Sequence, residues 1–75
     1  MTTYEQGAHD ALTRLDQQLA AAQDALRLHA IDALRANDRT SARRCEAKRA
    51  AHQGTRTLLA QQLADLEREA VATDA

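Results

Sequence analysis

The sequence predicts an all-α fold: an antiparallel helical hairpin of two long helices that dimerises into a four-helix bundle. Three observations carry this. The 75 residues include eighteen Ala and ten Leu but no Pro, Phe or Trp, and only two Gly. Such a chain is rich in helix formers and poor in large core side chains. Apolar residues recur at the 3/4 spacing of a helix stripe in both halves. One polar segment near the middle, Asn37-Asp38-Arg39-Thr40-Ser41, carries the turn signals. Residues 1–75 thus read as a single domain.

The first helix is predicted over about residues 3–36. Thr2 or Thr3 starts it, and Thr3-x-x-Gln6 has the pattern of a capping box. Glu5 then sits near the positive end of the helix dipole. The stripe runs through Ala8, Leu12, Leu15, Leu19, Ala22, Leu26, Ala30 and Ala33.

The turn is placed at about 37–40. Asn37 can close a helix in the left-handed conformation, and Asp38, Thr40 or Ser41 can cap the next. The second helix is predicted over about 41–71, with its clearest stripe at Leu59, Leu63, Leu66 and Ala70. Ala72 to Ala75 are expected to fray.

Facing positions of an antiparallel pair have a constant sum of residue numbers. Leu12 with Leu66, Leu15 with Leu63, Leu19 with Leu59, and Ala8 with Ala70 all sum to 78. The centre of that register is 39, inside the turn. Each arm would be about 45–50 Å long. The same register sets Leu26 against His52, Ala22 against Arg56, Ala33 against Cys45 and Arg49 against His29. A dry seam does not favour such residues. Either helix two rotates to bring Ala47, Ala51, Gly54 and Leu58 inward, or the tip half packs loosely and meets another surface. Leu28 and Ile31 lie opposite the Leu stripe of helix one, with Leu34 between. These three are the candidate dimer interface.

Charge is segregated. Counting Lys and Arg against Asp and Glu gives −3 for residues 1–34, +5 for 35–56 and −3 for 57–75. Folding back at the turn makes a rod with a basic tip and an acidic base. Arg35, Arg39, Arg43, Arg44, Lys48, Arg49 and Arg56 are therefore the candidate partner-binding residues. Two hairpins packed antiparallel would set each basic tip beside an acidic base.

No constellation points to an enzyme. Cys45 and His52 share a helix face, but two helices give no pocket or oxyanion hole around them. The spacing of the Cys and the three His fits no closed zinc site. Glu5 and His9 at i,i+4 read as a solvated pair. No cofactor and no metal are expected. The lone Cys and the absence of an N-terminal apolar run point to the cytoplasm. No stretch is long and apolar enough to span a membrane.

The sequence thus reads as a non-enzymatic adaptor or inhibitor, of the kind mobile elements carry, with a homodimeric form and a protein partner. The alternative is a nucleic-acid-binding regulator that grips RNA or DNA phosphates through Arg43, Arg44, Lys48 and Arg49. The near-zero net charge and lack of stacking aromatics weigh against it.

Overall fold

The computed structural model describes residues 1–74. Helix α1 spans Thr3–Arg35 and helix α2 spans Arg39–Asp74. They pack antiparallel into a rod whose Cα atoms extend 57 × 15 × 12 Å. No strand is present among the described residues. The hairpin is as predicted, and its boundaries differ in three instructive places.

The first is the N-terminus. Thr2, not Thr3, is the cap. Its hydroxyl accepts the Glu5 N–H at 3.1 Å, and the Glu5 carboxylate accepts the Thr2 N–H at 3.1 Å. This is the reciprocal capping box, one residue earlier than Thr3-x-x-Gln6. Glu serves better than Gln here because its charge also meets the helix dipole.

The second is the turn, which occupies only Ala36, Asn37 and Asp38. Asn37 has φ 60°, the left-handed conformation that Asn tolerates and most residues do not. Its N–H donates to the Leu34 carbonyl at 3.0 Å, and the Asp38 N–H donates to the Ala33 carbonyl at 2.7 Å. That pair of bonds is a Schellman motif closing α1. Asp38 then caps α2: Oδ1 accepts the Ser41 N–H at 3.0 Å and Oδ2 accepts the Ser41 hydroxyl at 2.6 Å. One residue ends the first helix and starts the second, so α2 begins at Arg39 and not at Ser41.

The third is the C-terminus. α2 continues through Asp74, beyond the predicted end near residue 71. The fraying expected from Ala72 onward is not seen through Asp74, and Ala75 lies outside the described residues.

The shorter turn moves the register. Five cross-helix hydrogen-bonded pairs show it: His9–Glu67, Asp16–Arg56, Gln23–Arg49, Gln23–Gln53 and Gln23–Arg56. Their residue numbers sum to 76, 72, 72, 76 and 79, centred near 75 and not 78. On α2 the inward stripe is unbroken from Ala42 and Cys45 through Arg49, His52 and Arg56 to Leu59, Leu63, Leu66 and Ala70. On α1 the corresponding stripe includes Asp16 and Gln23 along with Leu12, Leu19 and Leu26. Leu15, expected in the seam against Leu63, is 42% exposed. His29 is also exposed and does not meet Arg49.

Helix two does not rotate in the tip half. Ala47, Ala51, Gly54 and Leu58 face solvent, and a Cβ built on Gly54 would meet nothing within 4 Å. The seam keeps its phase and accepts polar residues instead. The buried apolar residues are Ala30 and Ala42 near the tip, Leu59 past the middle and Ala70 at the base. Among the described residues no side chain is completely enclosed. No helix of the described residues is long and apolar enough to cross a membrane.

Two outcomes follow from this packing. Leu59→Ala removes the one large buried side chain among the described residues and should lower unfolding free energy by about 2–3 kcal/mol. Leu15→Ala should cost under about 1 kcal/mol, and urea denaturation followed by circular dichroism separates the two. At the turn, Asn37→Val should destabilise by at least about 1 kcal/mol while Asn37→Gly does not, because only the former strains a left-handed residue. Thermal unfolding of both variants checks this.

Candidate interaction surface around the hairpin tip

The seven basic residues of the central block separate into two groups. Arg56 and Arg49 work inside the hairpin. Arg56 Nε donates to Asp16 Oδ1 at 2.8 Å, its Nη2 reaches Asp16 Oδ2 at 3.4 Å, and its Nη1 donates to Gln23 Oε1 at 2.9 Å. Gln23 Nε2 in turn donates to the Arg49 carbonyl at 3.0 Å and to Gln53 Oε1 at 3.3 Å. Arg49 Nη1 meets both Glu46 oxygens at 3.3 Å, while its buried Nε finds no acceptor. A polar ladder thus crosses the seam where Leu would give a dry one.

The ladder remains partly wet. The Asp16 and Arg56 side chains are 32% and 31% exposed, which limits the desolvation penalty of placing an ion pair there. The Asp16 carboxyl is held below its usual range, first by the hydrogen bond from Arg56 and then by the Arg56 charge, with burial opposing. The same hydrogen bond holds the Arg56 guanidinium above its usual range. His52 and Cys45 are half-buried in the same stripe, and Cys45 is a free thiol.

The second group lies outside the seam. Arg39, Arg43, Arg44 and Lys48 are exposed, and none lies within 4 Å of a carboxylate among the described residues. Arg35 is exposed and only loosely placed, 3.9 Å from Asp32. The charge of Arg44 reaches Asp38, whose carboxyl is depressed first by the Ser41 hydroxyl, then by the Ser41 N–H, and least by Arg44. At 100° per residue, Arg39 and Arg43 flank one side of the seam and Arg44 and Lys48 the other.

Apolar surface accompanies these cations. Leu28, Ile31 and Leu34 are 56%, 38% and 59% exposed. A shallow cleft between the helices at the tip has Ala30 and Ala42 among its lining, with Leu34, Arg39, Arg43 and Glu46 around it. Aliphatic surface ringed by unpaired cations can hold an apolar side chain flanked by acids. No group of three or more His, Cys, Asp or Glu converges among the described residues. Glu5 engages Thr2, and His9 Nε2 pairs with Glu67 at 3.1 Å across the base.

Comparison with protein-family models, characterised proteins and solved structures finds no match. The geometry alone therefore carries the functional reading.

Sequence reasoning did not single out Asp16, Gln23 or Glu46. Leu15 and Ala22 drew the seam one residue away from Asp16 and Gln23 because they are apolar. One signal was available: Arg56 and Arg49 belong to the stripe that ends in Leu59 and Leu63, so α1 must supply polar partners at the facing heptad positions.

The Asp16–Arg56 pair has a defined pH signature. A carboxyl with a depressed folded pKa contributes stability above its unfolded value of about 3.9 and loses it as pH falls through the folded value. The melting temperature of Arg56→Met should lie below that of the wild type at pH 7. The gap should close below about pH 4. Asp38 titrates in the same direction in both proteins, so the difference reports on the carboxylates that Arg56 faces, first Asp16 through its hydrogen bond and then Asp24 through charge alone. A gap independent of pH down to about pH 2 would assign the effect to packing.

Proposed function

We propose that this chain is a non-enzymatic interaction protein, a small helical-hairpin adaptor or inhibitor that binds a larger protein or complex through its basic tip half. The observation that carries the reading is the set of four exposed cations without ion pairs, Arg39, Arg43, Arg44 and Lys48, next to exposed Leu28, Ile31 and Leu34. Elsewhere on the rod, Arg68 pairs with Asp65 and Arg56 with Asp16, and the exposed Arg14 and Arg27 stand singly and not in a cluster. The tip is where charge and apolar area remain unspent together. A mixed surface of this kind suits an acidic protein patch with aliphatic anchors.

Chemistry on a substrate lacks support. The candidate nucleophile, Cys45, sits half-buried in a helix seam, without convergent donors around it. The nucleic-acid alternative loses one of its four phosphate contacts, since the half-buried Arg49 is engaged with Glu46 one turn away on α2. The single Tyr, Tyr4, is on α1 at the opposite end of the rod, so no base-stacking side chain lies beside the cations.

The test is a double charge reversal, Arg44→Glu with Lys48→Glu, on residues that make no ion pair. Wild-type protein immobilised and exposed to extract of its native host should retain a discrete protein. The double variant should retain at least about tenfold less at unchanged helicity. A low-salt gel shift with mixed DNA and RNA runs in parallel. A salt-sensitive shift at micromolar protein, abolished by the same substitutions, would replace this reading with the nucleic-acid one.

A further inference from the structure

We infer that one flank of the hairpin, running along α2, is a self-complementary surface that pairs antiparallel with a second copy of this chain. Three clefts follow one another along this flank. The tip cleft and the next share Glu46, and that one shares Gln53 with a third that reaches Thr57 and Ala60. The result is a continuous shallow groove beside the seam. Its α2 wall is a 3/4 stripe with arginines at the tip end, small residues at Ala50, Thr57 and Ala60, and Glu67 and Val71 at the base.

The order of side chains along that stripe selects the occupant. Pairing α2 antiparallel with its copy, about a point near residue 55, sets Arg43 against Glu67 of the second copy, which is 59% exposed and meets its own His9 through Oε1 alone. It sets Ala50 against Ala60 of the second copy, two small side chains that leave room for the helices to approach. Leu34, 59% exposed at the tip, is carried to the base, where Val71 is 69% exposed. On the scale of whole ends, the +5 block of each chain lies beside the −3 block of residues 57–75 of the other. The parallel arrangement sets +5 against +5, which like-charge repulsion disfavours.

Area agrees. The hairpin exposes 5530 Å², whereas a compact monomer of 8.2 kDa exposes about 4,500 Å². The excess of about 1,000 Å² matches the ~800 Å² that each partner buries in a standard interface. The contact takes up Arg39, Arg43 and Leu34, which the partner surface proposed above also includes, but it leaves Arg44 and Lys48 on the opposite flank, so the Arg44→Glu, Lys48→Glu test of that partner does not disturb it.

Light scattering of the intact chain at about 100 µM in low salt should give twice the chain mass. Arg43→Glu and Glu67→Arg should each weaken the dimer at least about tenfold, and the two together should restore it. Circular dichroism verifies that each variant remains helical. In a Cys45→Ser background, Gln53→Cys chains mixed with Thr57→Cys chains should form a disulfide-linked dimer on mild oxidation, because this register sets position 57 against position 53 of the second copy, while Thr55→Cys on the opposite flank should not. A single-chain mass for the wild type overturns the inference. So does a dimer that crosslinks through position 55 in preference to 53 with 57, or one whose charge swap fails to restore pairing in helical protein.

Discussion

The three-residue turn at Ala36–Asp38 governs everything else in this molecule. A two-helix rod has one seam, and its contents are decided by which residues face each other once the chain folds back. Asn37 supplies the left-handed residue and Asp38 closes one helix while capping the next. No slack remains for the helices to slide. With the turn this short, Arg49, His52 and Arg56 are committed to the inward stripe of α2, and Asp16 and Gln23 to that of α1.

That commitment exchanges stability for definition. Ala and Leu layers at both ends are compatible with several registers, since Ala meets Ala or Leu at little cost. The Asp16–Arg56–Gln23 ladder is compatible with one. A slip by one heptad would separate Arg56 from Asp16 and Gln23 and leave these polar groups without their partners, whereas Ala and Leu layers would find equivalent neighbours. Polar layers in helical seams are best attested as register and orientation devices. Here the device lies in the middle of a rod whose apolar core is small. The hairpin is defined in geometry while much apolar surface stays exposed, at Leu28, Ile31 and Leu34 near the tip and at Tyr4, Leu15, Leu58 and Val71 along the rest of the rod.

Much of this was legible in the residues. The two helices, the hairpin and the whole inward stripe of α2 follow from 3/4 spacing, and Leu59, Leu63, Leu66 and Ala70 lie where that spacing sets them. What was not legible turns on small local differences. Asp38, Thr40 and Ser41 are all competent caps, and their intrinsic preferences differ by less than a turn's tertiary context does. Choosing among them shifts the facing sum by several residues. Leu15 misled because hydrophobicity marks the stripe only statistically, and a Leu flanking the seam resembles one inside it. The basic block was plain in the sequence. Which of its members were free was not, because whether Arg56 reaches Asp16 depends on the register that the turn decides.

Net charge is a poor guide to what such a rod attracts. The total of −1 describes a molecule 57 Å long in a solvent whose screening length is about 8–10 Å. A partner approaching the tip is screened from the acidic base and responds to the local charges, among which the cations outnumber Asp32 and Asp38. Arg49 and Arg56 are neutralised in place by Glu46 and Asp16, so the field at the tip arises from Arg39, Arg43, Arg44 and Lys48, with Arg35 at its edge. These residues surround the turn and wrap both flanks of α2. The polar seam thus has a second consequence: by internalising two arginines beyond the tip, it confines the unbalanced positive charge to the end of the rod where the aliphatic residues are also exposed.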